Sequence, residues 1–492
     1  MHLANAIVNL AAAPQDWLYN RWSMPNTPSS ASTQRSPRDA VAALISAAEA
    51  ERLDIHSVLL RHHGAVVAEG YRPPFDADTP HRMYSVTKSF TSSAVGLAVA
   101  DGLLSVDDRL VDIFPEFAPE RAGEHLANVR IRHLLTMSAE HPMVPGPPGT
   151  RNPLSIAAFM AEALQLAPGS RFEYSNPCSY MLAAAVQRRT GKTLVDYLRP
   201  RLLAPLGIAA RNWVTSDEGV NNGGWGLHLT TGELSRFGQL YLQRGEWEGA
   251  RLIPGPWIDE ATRKQVDSWG NAGPDWNAGY CYQFWRNRPD GYRADGLLGQ
   301  FCLVLPRHDA VLTMTAGTLT TDRILDLIWE LVLPALEQGA GAGDSSVAFP
   351  PTSIGEARSP RSEELAGVTF ALGEPFMLPT RFFGGQVPIV SVEVAPGDPV
   401  ALILGDQRGR YRLPVGTNVW AGAVSPVSTG CAEPYKGFAR WESADTLAVE
   451  LVFTEGGFRL AVTFDLATRK LSVKTPANPG LEGRTIVGRP FP

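Results

Sequence analysis

The stretch His81–Phe90, HRMYSVTKSF, puts a serine three residues ahead of a lysine, Ser85 and Lys88. On a helix that spacing places both on one face, within reach of each other. A free serine hydroxyl is a poor nucleophile and needs a base at its side. Lysine can be that base when burial or nearby positive charge lowers its pKa. The flanks are Met83, Tyr84, Val86 and Phe90, with Thr87, Ser89, Thr91 and Ser92 between, and no carboxylate on the segment would hold the amine charged. A serine at a helix start also offers its own backbone N–H to an oxyanion, aided by the helix dipole. Serine is a frequent helix cap, so the pattern also arises by chance. Lys88 is nevertheless the only lysine in the chain with a serine at that offset.

A second pair lies in LAPGSRFEYSNPCSYMLAAAVQ, residues 166–187. Pro168-Gly169 and Ser175-Asn176-Pro177 are breaks that put Tyr174 and Asn176 in a turn between helices. Tyr-x-Asn in a loop presents a phenol and an amide to one side. A phenol near a cationic lysine is easier to deprotonate and can hand a proton to a leaving group. The bland alternative is a helix-capping Asn176 beside a core Tyr174. Trp225, in NNGGWGL, and Trp285 are candidates for lining a pocket.

The elements that must position these residues can be read in outline. Residues 1–40 are rich in Pro, Ser and Asn and read as an extended arm. HSVLLRHHGAVVAEGYR predicts a hairpin turning at His63-Gly64, and TSSAVGLAVADGLL predicts a helix packed on most sides. The chain is then mainly helical to about residue 245. From residue 278, AGYCYQFW, YRADGLLGQFCLVLP and AVLTMTAGT read as strands, and DRILDLIWELVLPAL as a closing helix. This order predicts an α+β unit over residues 41–338: an antiparallel sheet assembled from both ends, flanked by helices, with a helical insertion. Residues 339–362 read as a linker, and residues 363–492 as a separate all-β domain, a small barrel or sandwich.

Composition narrows the function. The 492 residues are 44% hydrophobic and 19% charged with net charge −6, so there is no basic field for nucleic acid or an anionic membrane. Cys178, Cys281, Cys302 and Cys431 lack metal-type spacing, and no CxxC or HExxH occurs. No metal and no cofactor is implied, and the thiols read as free and buried. The N-terminus lacks a positive n-region, no run is long enough to span a bilayer, and the cytoplasm is the default compartment. The sequence says nothing of oligomeric state. GKT at 191–193 fails as a phosphate loop because Val186 stands where a glycine is needed, and GAGAGD at 339–344 lacks a strand-to-helix context. No G-x-S-x-G elbow exists. His133 lies among apolar helix residues and reads as structural. The adjacent His62 and His63 are expected on opposite faces of the hairpin.

Ser85-x-x-Lys88 followed by Tyr174-x-Asn176 resembles the penicillin-recognising serine hydrolases. The similarity is to the class C β-lactamase-like branch, with its family VIII esterases, D-peptidases and 6-aminohexanoate-dimer hydrolases, and spans roughly residues 40–336. The resemblance implies the serine β-lactamase/DD-peptidase fold, with Ser85, Lys88 and Tyr174 as catalytic residues and Asn176 orienting Lys88 and the substrate. Ala294-Asp295-Gly296 stands where the family has Lys-Thr-Gly, so Gly296 matches and the carboxylate-holding pair does not. By the same match, the N–H groups of Ser85 and Leu297 would form an oxyanion hole. The β-domain resembles the lipocalin-like domain that follows some of these hydrolases. The implied activity is a serine hydrolase that forms an acyl-enzyme on Ser85 and cleaves a small ester or amide, a carboxylesterase or 6-aminohexanoate-oligomer-type amidase. A β-lactamase or D-amino-acid peptidase is the alternative within the family. A catalytically silent binding protein of the same fold is the alternative outside enzymes.

Overall fold

The computed structural model describes residues 35–118, 123–140, 154–209, 212–268, 273–337, 344–356, 358–378, 387–395, 400–425, 427, 433–476, 478 and 483–491. Most of the expected arm, the glycine-rich start of the expected linker and Cys431 lie outside the described residues. The end of the arm is helix: α1 (Pro37–Ala50) starts where Ser36 accepts from the Asp39 N–H and Pro37 fixes the first turn.

Hairpin strands β1 (Ile55–His62) and β2 (Ala65–Tyr71) join β3 (Trp285–Arg286), β4 (Tyr292–Gly296), β5 (Gln300–Leu305) and β6 (Ala310–Ala316). The antiparallel sheet runs β2-β1-β6-β5-β4-β3, so strands from both ends of the unit meet at β1 and β6. Side-chain alternation divides the core. Leu303 and Leu312 face α1 and the closing helix α5, whereas Cys302, Val304 and Val311 face the helical insertion. That insertion contains α2 (Thr87–Ala100), α3 (Asn176–Thr190) and α4 (Thr231–Leu242), and α5 begins as Thr321–Leu327. Helix α2 is buried from Thr87 to Ala98, the all-round packing that its small residues predict. The α4 start is a reciprocal box: Glu233 N–H donates to Thr230 Oγ1 at 3.2 Å, and Thr230 N–H donates to Glu233 Oε2 at 2.9 Å.

Three expectations are corrected. AGYCYQFW is not a strand before Trp285, because Gly279 and Gln283 take left-handed backbone, φ +113° and +66°. YRADGLLGQFCLVLP is two strands around a tight turn at Leu297–Gly299 rather than one run. The imidazoles of His62 and His63 do not diverge: they stack with centroids 4.0 Å apart at the hairpin tip, where His63 has φ +50° and pairs with Asp309.

The C-terminal strands are β7 (Thr369–Leu378), β8 (Val387–Ala395), β9 (Val400–Gly405), β10 (Arg410–Thr417), β11 (Ala421–Val424), β12 (Pro434–Trp441), β13 (Thr446–Phe453), β14 (Phe458–Asp465), β15 (Lys470–Thr475) and β16 (Arg484–Pro490). They form an antiparallel meander, and β10 and β12 close it by a parallel pairing at Gly416↔Phe438 and Thr417↔Ala439. The ring holds nine strands, with β11 outside on β12. An odd ring of alternating strands must contain one parallel pair, and closure removes the exposed edges. Residues 345–356 are pinned at both ends: Val347 N–H donates to Glu69 O on edge strand β2, and Glu356 N–H to Trp441 O on β12.

The barrel meets the sheet through buried charge. Asp54, fully buried just before β1, receives Arg459 of β14 at 3.1 Å (Nε to Oδ2) and 3.3 Å (Nη2 to Oδ1), and Asn478 at 2.9 Å. His56 Nε2 lies 3.2 Å from the same carboxylate. Close approach there requires glycine: a Cβ at Gly317 would lie 2.6 Å from Asn478, and one at Gly457 2.8 Å from His56. Among the described residues, no helix is long and apolar enough to cross a membrane.

Candidate active site

Ser85 sits in a single 3-10 turn, Tyr84–Val86, that feeds directly into α2, and Lys88 occupies the first turn of that helix. The spacing expected of a helix face holds: Lys88 Nζ donates to Ser85 Oγ at 3.2 Å. Lys88 is only 1% exposed. Its other two donors go to Asn176 Oδ1 at 2.7 Å and to the Gly224 carbonyl at 2.8 Å. Three acceptors thus fix an amine that has no carboxylate partner among the described residues. Burial lowers its pKa from 10.5 to about 7, and the nearby Cys178 thiol raises it only slightly against that trend.

Tyr174 and Asn176 arrive from the segment entering α3. Ser175, not Asn176, caps the helix, accepting from the Cys178 N–H, and Pro177 follows in its first turn. Asn176 is therefore the first helical residue, and its amide oxygen turns to Lys88 instead of capping. The Tyr174 ring centroid is 4.8 Å from Lys88 Nζ, and its hydroxyl is hydrogen-bonded to Ser85. On balance the phenol is harder, not easier, to deprotonate. Burial pushes Tyr174 well above the ordinary tyrosine value, the Ser85 hydrogen bond offsets only part of this, and the Asp295 charge adds to it.

Trp285 is buried and stacks on Tyr174, centroids 5.5 Å apart, so it backs the phenol. Trp225 is half-buried against the helical core, directly after Gly224. Gly296, at the end of β4, touches the chain entering Ser85: a Cβ there would lie 2.3 Å from the Met83 carbonyl oxygen. That contact brings the Leu297 turn beside Ser85. Gln300 holds the turn, donating to Leu297 O at 3.1 Å and to Ala316 O at 2.8 Å. His133 accepts from the Arg130 N–H at its helix start.

Several residues of the site carry no local sequence signal. Gly224 acts through its carbonyl, and a Cβ on it would lie 3.0 Å from Asn176 Oδ1. Gln283 ties the two helices together: its carbonyl accepts from Ser89 of α2 at 2.9 Å, and its side chain accepts from Ser179 of α3 at 2.7 Å. Arg293 is fully buried and donates through Nε to Asp295 Oδ2 at 2.7 Å. Its Nη1 and Nη2 are spent on the Arg286 and Asp275 carbonyls and Asn287. Burial pushes the Asp295 carboxyl up to about 6, although Arg293 pulls it back.

The arrangement is a buried amine whose pKa lies near 7 and a protonated phenol on either side of one hydroxyl, with a strand-end turn opposite. Residues 41–336 match the Beta-lactamase family model. The chain belongs to the Beta-lactamase family. A 6-aminohexanoate-dimer hydrolase of Paenarthrobacter ureafaciens is 24% identical over 341 residues, covering 61% of this chain and 85% of that protein. The esterase EstB of Burkholderia gladioli is 29% identical over 161 residues, covering 29% of this chain and 41% of the esterase. The solved structure of EstCE1, a hydrolase with promiscuous acyltransferase activity, shares the fold with TM-score 0.51 and 18% identity over 60% of this chain and 98% of that one. The family and these relatives are hydrolases of the serine β-lactamase type.

Proposed function

We propose that the protein is a serine hydrolase that cleaves a small ester or amide through an acyl-enzyme on Ser85. The observation that carries the reading is Lys88: a buried amine near neutrality, 3.2 Å from Ser85 Oγ and held by two further acceptors. Ser85 Oγ bonds to the substrate carbonyl carbon as its proton passes to Lys88 Nζ. The carbonyl oxygen becomes an oxyanion at the N–H groups of Ser85 and Leu297. The carbonyl-to-leaving-group bond then breaks, and Tyr174 hands the leaving group a proton that Lys88 replaces. Water attacks the acyl-enzyme by the same steps in reverse, releasing the acid and free Ser85. Asn176 keeps Lys88 in register, and Trp225 and Trp285 line and back the pocket.

The substrate has no carboxylate beside its reacting carbonyl. Ala294 offers no charge there, the Asp295 carboxyl is tied to Arg293, and every nitrogen of Arg293 is already engaged. An ester or linear amide fits better than a β-lactam acid. The test uses purified protein and p-nitrophenyl acetate. Ser85→Ala abolishes hydrolysis, and a fluorophosphonate adds mass at Ser85 in the wild type only. Turnover by Ser85→Ala near the wild-type rate overturns the assignment, and rapid nitrocefin hydrolysis overturns the substrate reading.

A further inference from the structure

Two residues next to the reacting groups have backbone that bulky side chains rarely adopt. Tyr84, directly before Ser85, has φ +46°, and Leu298, directly after Leu297, has φ +66°. Left-handed backbone at such residues persists only where surroundings enforce it. Both side chains are buried, and neither belongs to the core of the unit that carries it. Tyr84 and Leu298 pack into the apolar cluster of the C-terminal barrel, with Phe453, Phe458 and Leu460, and Leu297 lies against the same cluster.

The backbone contacts converge on one barrel turn, residues 454–457 between β13 and β14. Tyr84 Oη donates to the Gly456 carbonyl at 3.3 Å, and Arg82 N–H donates to the Glu455 carbonyl at 2.7 Å. On the other side, the Leu298 carbonyl accepts from Thr318 N–H at 3.2 Å, and the adjacent Gly317 N–H donates to the Asp54 carbonyl at 2.8 Å. Asp54 is the residue that Arg459 of β14 grips. The nucleophile turn and the turn opposite it are thus both anchored on the barrel, outside the catalytic unit.

We propose that the C-terminal barrel is a positioning element of the reaction centre, holding Ser85 through Tyr84 and the Leu297 N–H through Leu298. The inference rests on the acyl-enzyme reading above. A small displacement between nucleophile and oxyanion donors costs rate rather than binding. Positioning therefore shows in kcat and leaves KM alone, whereas loss of packing shows in stability alone. Leu466 supplies the control. It belongs to the same cluster but lies beyond the far end of β14, at the end of the barrel opposite the 454–457 turn.

The experiment compares full-length Leu298→Ala, Leu298→Met, Tyr84→Phe and Leu466→Ala for p-nitrophenyl acetate hydrolysis and thermal unfolding. Leu298→Ala lowers kcat about 10- to 100-fold with KM within about twofold. Leu298→Met, which refills the seat, recovers most of the rate, and Tyr84→Phe loses several-fold. Leu466→Ala lowers the unfolding midpoint by a similar amount to Leu298→Ala and keeps the wild-type kcat. Equal kcat in Leu298→Ala and Leu466→Ala overturns the proposal. If Leu298→Ala does not fold, an unchanged kcat in Tyr84→Phe overturns it. An active wild type with unaffected variants rejects the positioning role alone, whereas a wild type that neither turns over ester nor labels at Ser85 rejects the hydrolase reading beneath it.

Discussion

Replacing Lys88 by methionine separates the two consequences of burying an amine. Burial lowers the Lys88 pKa from 10.5 to about 7, so between those values the unfolded chain binds a proton that the folded chain does not. Stability then rises with pH across that window. At about 1.36 kcal/mol per pH unit, the depressed pKa costs folding about 4 kcal/mol at pH 7 and about 1 kcal/mol at pH 9.5. Lys88→Met lacks this term. It loses donors to Asn176 Oδ1 and the Gly224 carbonyl, a pH-independent cost of about 1–3 kcal/mol for each buried acceptor left bare. Urea unfolding of both proteins from pH 7 to 9.5 is therefore expected to show wild type gaining about 3 kcal/mol on the variant. In parallel, wild-type kcat/KM for p-nitrophenyl acetate rises through an apparent pKa near 7 as the amine loses its proton, while Lys88→Met is inactive throughout. Stability curves that run parallel with pH, or a kcat/KM that rises only near pH 10, would refute the reasoning, because either places a charged lysine in the folded site.

Arg459→Met leaves the buried Asp54 carboxylate with His56, Asn478 and only the more distant Arg72, 3.9 Å away, and should cost about 3 kcal/mol in urea unfolding at pH 7. Burial acts to raise the Asp54 pKa, but Arg459 and His56 outweigh it and hold the carboxyl well below the usual range. This stabilisation is present above the ordinary carboxylate pKa and is lost as pH falls through the folded value. Gly296→Ala puts a Cβ 2.3 Å from the Met83 carbonyl, a backbone atom that cannot step aside, so ester hydrolysis should fall at least 100-fold in steady-state assays. Gly224→Ala crowds Asn176 Oδ1 at 3.0 Å and should lower kcat about 10-fold, and an upward move of the kinetic pKa in the same assay would report the lost hold on Lys88.

Contacts encoded over a few residues are legible in the amino-acid sequence itself. Ser85 and Lys88 are one helical turn apart, and Tyr174 and Asn176 flank a helix start, so local geometry alone brings each pair together. The sheet built from both ends of the unit is legible because hairpin, helix and strand periods change along the chain. What stays hidden acts through backbone or across long separations. The Gly224 carbonyl is a backbone atom with no residue code. Gln283 joins two helices from a segment that reads as strand until two left-handed residues break it. A run of alternating strands does not reveal that nine of them close through a parallel pair, nor that Tyr84 and Leu298 seat in that barrel rather than in their own unit.

Two groups beside one hydroxyl are driven apart by the same burial. An amine loses its proton more easily in a dry site and a phenol less easily, so Lys88 falls to about 7 while Tyr174 climbs above its ordinary value. Sequence alone leaves either residue open as the base. Under the proposed mechanism the energetics order them: near neutral pH the amine can take the Ser85 proton, and the phenol, still protonated, can give one up to a leaving group. A carboxylate close to Lys88 would undo this by holding the ammonium charged. The buried Asp295 carboxyl is instead paired with Arg293 on β4, behind Tyr174 and Trp285. Asp295 then acts on the phenol, adding to the rise of Tyr174, while burial dominates the fall of Lys88. The separation of base from acid therefore depends as much on where the carboxylates are kept as on the lysine itself.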